Sequence, residues 1–324
     1  MQTEINQQHR QQGVTLVEMM IAMVISLLLM AGVYQTYLGS KQAYRTQDGL
    51  SRLQENARFA MDQLTRDIRM ANNFGCVPAP INQFGDQVIV DRSGSFNFDP
   101  TNPATPANNG GIASIPDTNG TDSITIRGIG GPNGVVASPV ASVTGTTVAL
   151  VPGSTLPAVG ETVVISNCRM AEIDVVTAVD TAAEEITLPN ITGIAGATYG
   201  LGTMVYPVRT IVYTVQPGTS QNGLFRDADG PGPQVPQEVA EGLESIDFLF
   251  RETTGTAFTT SDGVTNWNLI DVVRVSMVFS TPRDNIATTN QTYTVVDNAG
   301  ATTTATAADR RLYRMVSALI DVRK

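Results

Sequence analysis

Residues 14–33, VTLVEMMIAMVISLLLMAGV, form a twenty-residue apolar run that carries a single charge, Glu18. Twenty helical residues span about 30 Å, the thickness of a bilayer core. Before this run stand thirteen polar residues ending in Gly13. A cleaved secretory signal needs a basic start, a short apolar stretch and a small-residue cut site after it. Here the apolar stretch is long, and Ala31 and Gly32 lead straight into more helical sequence. A plain membrane anchor is the other ordinary reading. Neither explains a carboxylate five residues into the run. A charge placed in lipid is costly unless paired, and so marks function by default. The bland reading of Glu18 is a side chain that snorkels to the headgroups.

Gly13-Val14-Thr15-Leu16-Val17-Glu18 resembles the processing signal of type IV pilins and type II secretion pseudopilins. The resemblance implies cleavage after Gly13 by a prepilin peptidase and N-methylation of the new terminus, Val14. It places Glu18 at the fifth position of the mature chain. Two features differ from the usual pattern: the first mature residue is Val rather than Phe, and the leader's Arg10 and His9 are offset by Glu4. Electrostatics supports the role of Glu18 independently. Cleavage exposes an ammonium at Val14, beside the positive end of a helix dipole. Pairing that ammonium with Glu18 of an adjacent subunit neutralises two charges in apolar surroundings and sets the axial register.

The helix is expected to continue past the membrane. No Pro occurs from Tyr34 to Asn72, and Leu50, Leu53, Ala57, Met61, Leu64, Ile68 and Ala71 recur every three or four residues. This is one apolar stripe. Arg45, Asp48, Arg52, Glu55, Arg58, Asp62, Arg66, Asp67 and Arg69 fall on the other side and read mostly as a solvated face. One helix over 14–72 is predicted, with Gly75 as its C-terminal cap. The expected divisions are a leader (1–13), a transmembrane half-helix (14–35), an amphipathic half (36–73) and a β-rich head (74–324).

Residues 76–122 are rich in Asn, Gly, Pro and Asp and read as loop, with a short strand at Gln87–Val90. Strand signals then become dense at 123–129, 146–151, 161–166, 171–179 and 184–188. Longer strands follow at 203–216, 242–252, 271–281 and 312–324. The predicted fold is α+β: a long N-terminal helix packed on an antiparallel sheet, with an additional β-rich insertion. The two cysteines, Cys76 and Cys168, read as one disulfide in an exported chain or as two buried thiols. If joined, they close a loop of about 90 residues, worth about 4–5 kcal/mol.

The order of segments is similar to that of PilW-type minor pilins. The segments that carry the likeness are Gly75-Cys76, Ile165-Ser166-Asn167-Cys168, Glu241-Gly242-Leu243-Glu244-Ser245-Ile246 and the closing strand to Lys324. The resemblance implies a non-catalytic subunit held in the inner membrane with a periplasmic head. It implies transfer into a pilus, in a tip or priming complex. Its implied partners are the prepilin peptidase, other minor pilins, the major pilin, the inner-membrane assembly platform and membrane lipid. A type II secretion pseudopilin of the J type and a membrane-anchored adhesion or binding protein are the alternatives.

Composition argues in the same direction. The chain has a net charge of −10 and two lysines, Lys41 and Lys324, which disfavours non-specific nucleic-acid binding. His9, the one histidine, sits in the leader, so Ser-His-Asp and Cys-His catalysis and His-based zinc sites are excluded from the mature chain. Asp227-Ala228-Asp229-Gly230 is the best acidic cluster. It lacks the third ligand and distal Glu of a calcium loop and reads as a polar turn. No cofactor is expected.

Overall fold

Leu16–Arg69 form one helix, α1. A computed structural model describes residues 14–75, 88–93, 112–115, 121–130, 137–192, 199–200, 202–218, 220–228, 235–253, 255–296 and 300–322. Met70 and Ala71 tighten the last turn, donating to the carbonyls of Asp67 and Ile68 at 3.1 Å each. Asn72 then turns left-handed at φ 62°. The stop expected at Gly75 therefore falls three residues earlier. Asn tolerates this conformation, and its N–H finds the Arg127 carbonyl at 3.1 Å instead of continuing the helix.

The chain divides into two compact units, one ending at Gly49 and one running from Leu50 to Lys324. In the first unit the large apolar side chains from Val14 to Leu38 are all exposed, between 46% and 76%. In the second unit the stripe is buried: Leu53, Ala57, Leu64, Ile68 and Ala71 are at most 3% exposed. Ala60, at 0%, belongs to the same face. Leu50 and Met61 lie at its half-buried margins.

The principal core gathers on this stripe. One wall is the three-stranded antiparallel sheet of β13 (Leu243–Glu252), β14 (Ile270–Ser280) and β17 (Tyr313–Asp321), in the order β13-β14-β17. Val273, Val275, Met277 and Phe279 of β14 alternate into the core, with Phe248, Phe250 and Ile320 from the flanking strands. Trp267 packs edge-on against Phe250, centroids 4.9 Å apart. The far face of this sheet is not left to water. The hairpin of β15 (Thr292–Val296) and β16 (Thr302–Thr306) brings Gly300 against Leu249, so closely that a Cβ at Gly300 meets Leu249 at 2.8 Å.

The other wall belongs to a twelve-stranded sheet organised on β10 (Met204–Pro217). The second half of β10 pairs with β3 (Ser123–Ile129) and β11 (Asn222–Ala228), which carry β2 (Ile112–Ile115) and β12 (Gln237–Glu241). The first half pairs instead with β4 (Ser138–Thr144) and β6 (Thr162–Ser166). These lead to β7 (Met170–Val175) and β1 (Val88–Asp91) on one side. On the other lie β5 (Thr147–Leu150), β9 (Glu185–Thr187) and β8 (Ala178–Asp180). Residues 130–207 are thus the β-rich insertion, with a core of its own built from Val148, Val163, Ile165, Ile186 and Val205. It leaves and rejoins the main sheet at one place, where Ile129 stands opposite Val208. Among the described residues, pairing is antiparallel except between β1 and β7, which run parallel.

Candidate functional site

Thr15 opens the helix. Its carbonyl accepts the first helical bond from Met19 at 3.1 Å, and its hydroxyl oxygen accepts the N–H of Glu18 at 3.3 Å. Thr15-Leu16-Val17-Glu18 has the spacing of a capping box, in which the acid three residues on faces the orphan amides of the first turn. Sequence reasoning assigned Glu18 a charge-pairing role and missed Thr15. The T-x-x-E spacing was the available signal. The carboxylate of Glu18 is exposed and has no hydrogen bond or ion pair among the described residues. Val14 is exposed at 69%. Gly13 and the rest of the leader lie outside the described residues.

Where α1 meets the head, the contact is apolar, with polar pins at its margin. Asp67 Oδ2 accepts from the Tyr213 hydroxyl at 2.6 Å and from Arg226 Nε at 2.8 Å. Tyr213 is fully buried, and the Asp67 and Arg226 side chains keep only 15% and 16% of their surface. Burial raises the Tyr213 hydroxyl above its ordinary pKa, and the adjacent Asp67 charge raises it further. For Arg226, burial works against the charge, but the bonds to Asp67 overcome it and the net shift is upward. Asp67 was grouped with the solvated charges; it instead sits at the edge of the stripe, next to Ile68. Asn56 adds a second tie, donating to the Glu241 carbonyl at 3.0 Å.

The insertion is pinned by acids on β7. Glu172, fully buried, accepts from Arg92 Nε at 2.9 Å and from the Tyr199 hydroxyl at 2.8 Å. Asp174 receives the backbone and side-chain amides of Asn190 at 2.8 and 3.0 Å. Cys168 occupies the β6–β7 turn at φ 66° and is disulfide-bonded. Cys76 lies outside the described residues. Asp227 ends up on β11, whereas Asp229 and Gly230 lie outside the described residues. Among the described residues no group of three or more His, Cys, Asp and Glu could hold a metal ion.

The family model for the prokaryotic N-terminal methylation motif matches residues 8–34. That for type IV pilus-assembly protein W matches residues 212–324. The chain is a PilW-type type IV pilin. The first match spans Gly13, Val14 and Glu18 together with the exposed apolar run. The second spans β11 to β17 and includes Tyr213 and Arg226, the two residues that hold Asp67 of the helix. The insertion falls outside both. Among solved structures, a type IV-like pilin from Thermus thermophilus covers 84% of this pilin and 95% of its own chain, at 11% identity and a TM-score of 0.37. No curated protein matches significantly in sequence.

Proposed function

We propose that this pilin is a minor subunit of a type IV pilus, cut after Gly13 by the prepilin peptidase, N-methylated at Val14 and drawn into the filament through Glu18. One observation carries the reading. A carboxylate with no partner among the described residues stands in the first turn of a helix whose large apolar side chains are exposed from Val14 to Leu38. Such a surface needs lipid before assembly and neighbouring helices after it. An acid there is retained at a cost unless something meets it, and the new terminal ammonium of an adjacent subunit is the group of matching charge. Among the described residues, α1 is the one helix long and apolar enough to cross a membrane. It is the anchor of an inner-membrane precursor with a periplasmic head.

The protein name attached to the matched C-terminal region supports pilus assembly over secretion. A head of this bulk suits the tip or priming complex, beside other minor pilins and the major pilin on the inner-membrane platform. Its role is structural rather than enzymatic: the two matched regions are those of pilin-type subunits, and after cleavage the chain retains no histidine for Ser-His-Asp or Cys-His chemistry. Cys76 is the partner of Cys168, since the sequence holds two cysteines and Cys168 is bonded. N-terminal sequencing of the exported protein tests the core of the proposal. A start at N-methylated Val14 is expected; an intact Met1, or a start after Ala31 or Gly32, overturns it.

A further inference from the structure

The sheet β13-β14-β17 treats its two edges differently. Along the outer edge of β13 the backbone is capped. Asp122 donates its N–H to the Ile246 carbonyl at 2.8 Å and accepts the Phe248 N–H at 2.9 Å, and Thr259 exchanges two bonds of 2.8 Å with Phe250. β13 also carries irregularities at both ends of its register with β14. Bulges and caps of this kind are how edges avoid pairing with other chains.

β17 has neither protection over most of its length. Its register with β14 runs unbroken for nine residues, from Val272 opposite Asp321 to Ser280 opposite Tyr313. The bonds from Thr281 to the Leu312 carbonyl and from Val322 to the Asp271 carbonyl turn the even-numbered backbone toward β14. The odd-numbered groups face outward. Tyr313 is capped by Gln291, which accepts its N–H at 2.8 Å and donates to its carbonyl at 3.2 Å. Beyond it, the backbone groups of Met315, Ser317 and Leu319 have no hydrogen bond among the described residues. The strand contains no Pro or Gly, and Leu319 is 63% exposed beside the open edge.

The start of this edge is basic, although the chain's net charge is −10. Arg310 and Arg314 are exposed at the start of the strand, and Asp321 is exposed at its end. We propose that the outer edge of β17 is a docking edge that takes an extended, carboxylate-bearing strand from the head of a different pilin-type subunit. The main-chain ladder supplies affinity, the basic start selects an acidic strand, and Leu319 offers an apolar contact. This rests on the reading of the chain as an assembled subunit.

The test is amide hydrogen exchange on the full-length chain in mild detergent, alone and in the complex co-purified with the pilin-type subunits made in the same cells. The amides of Ser317 and Leu319 are expected to slow at least tenfold in the complex. Unchanged exchange in a complex that contains the chain overturns the proposal. Slowing that depends only on the chain's own concentration places a second copy on the edge and overturns the assignment to a different subunit. Ser317→Pro removes an N–H that no internal bond uses. It is expected to cut the chain's share of the complex at least fivefold at unchanged Tm, with Ser317→Ala neutral. A wild-type share for a folded Ser317→Pro overturns the edge, and if that variant fails to fold the exchange comparison decides. Arg314→Glu lowers the share as well; an unchanged share overturns the acidic strand. A chain that keeps residues 1–13 and joins no complex overturns the filament reading itself, and this proposal with it.

Discussion

Single side chains divide the work of this pilin between assembly and cohesion. Glu18 makes no contact with its carboxylate among the described residues, so removing it is expected to leave the fold alone. Glu18→Ala is expected to be processed normally, as read by N-terminal sequencing, and to fall several-fold in the sheared filament fraction. Asp67 is the reverse case. Asp67→Ala leaves the Arg226 guanidinium largely buried without its carboxylate, a loss on the order of 3–5 kcal/mol, measurable by denaturant unfolding. Tyr213→Phe removes a hydrogen bond to a charged acceptor and costs about 1.5–3 kcal/mol. The same phenol sets a pH limit. Its pKa is raised in the folded state, so the fold binds its proton more tightly than the unfolded chain does. That stability is whole below about pH 10, where free tyrosine ionises, and is lost as pH rises beyond it. Wild-type stability should therefore fall above about pH 10, and less steeply in Tyr213→Phe.

At the scale of elements, the helix end is held by its closeness to β3. The Asn73 carbonyl accepts the Ile129 N–H at 2.7 Å, and a Cβ at Gly128 meets the Met70 carbonyl oxygen at 2.5 Å. The blocking atom is backbone, so Gly128→Ala must push the helix end away. Such overpacking costs about 1–3 kcal/mol, and the expected outcome is a lower Tm. Gly130→Ala, two residues on, meets only the flexible Arg209 side chain at 3.7 Å and should be tolerated. These elements were legible to different degrees. The stripe from Leu53 to Ala71 announced the buried helix face, and SITIRGI announced β3 residue for residue, because both have a strong period. Strand β4 was missed: Ser138, Pro139 and Ala141 carry little β preference, and while its second half forms a hairpin with β5, its first residues pair with the distant Met204 and Val205. Strands β15 and β16 are largely threonine without a buried face of their own. Asp67 was unreadable as a pin because Tyr213 and Arg226, which hold it to the head, lie 146 and 159 residues away. Thr15 was readable, but the charge of Glu18 drew the argument past it.

At the scale of the molecule, two cores share one strand. The first half of β10 serves the insertion and the second half serves the helix-bearing core, so neither sheet is complete alone. The disulfide at Cys168 sits in the insertion, and in the proposed pairing it ties the insertion to the residue after Gly75. Reduction should therefore lower the Tm of the purified protein; an unchanged Tm counts against the Cys76 pairing. The placement of Ile129 opposite Val208 has a wider implication. An excursion whose two ends are cross-strand neighbours can be cut out and closed by a two-residue turn without moving the rest of the ladder. Heads of very different size can thus be grown from a single scaffold by lengthening the chain at this doorway, and an engineer can use the same doorway to graft foreign cargo. The trimmed protein would need several repairs: Phe74 loses its cover of Val164, Ala171 and Ile173, β1 loses its parallel partner β7, and Arg92 loses its bond to Glu172.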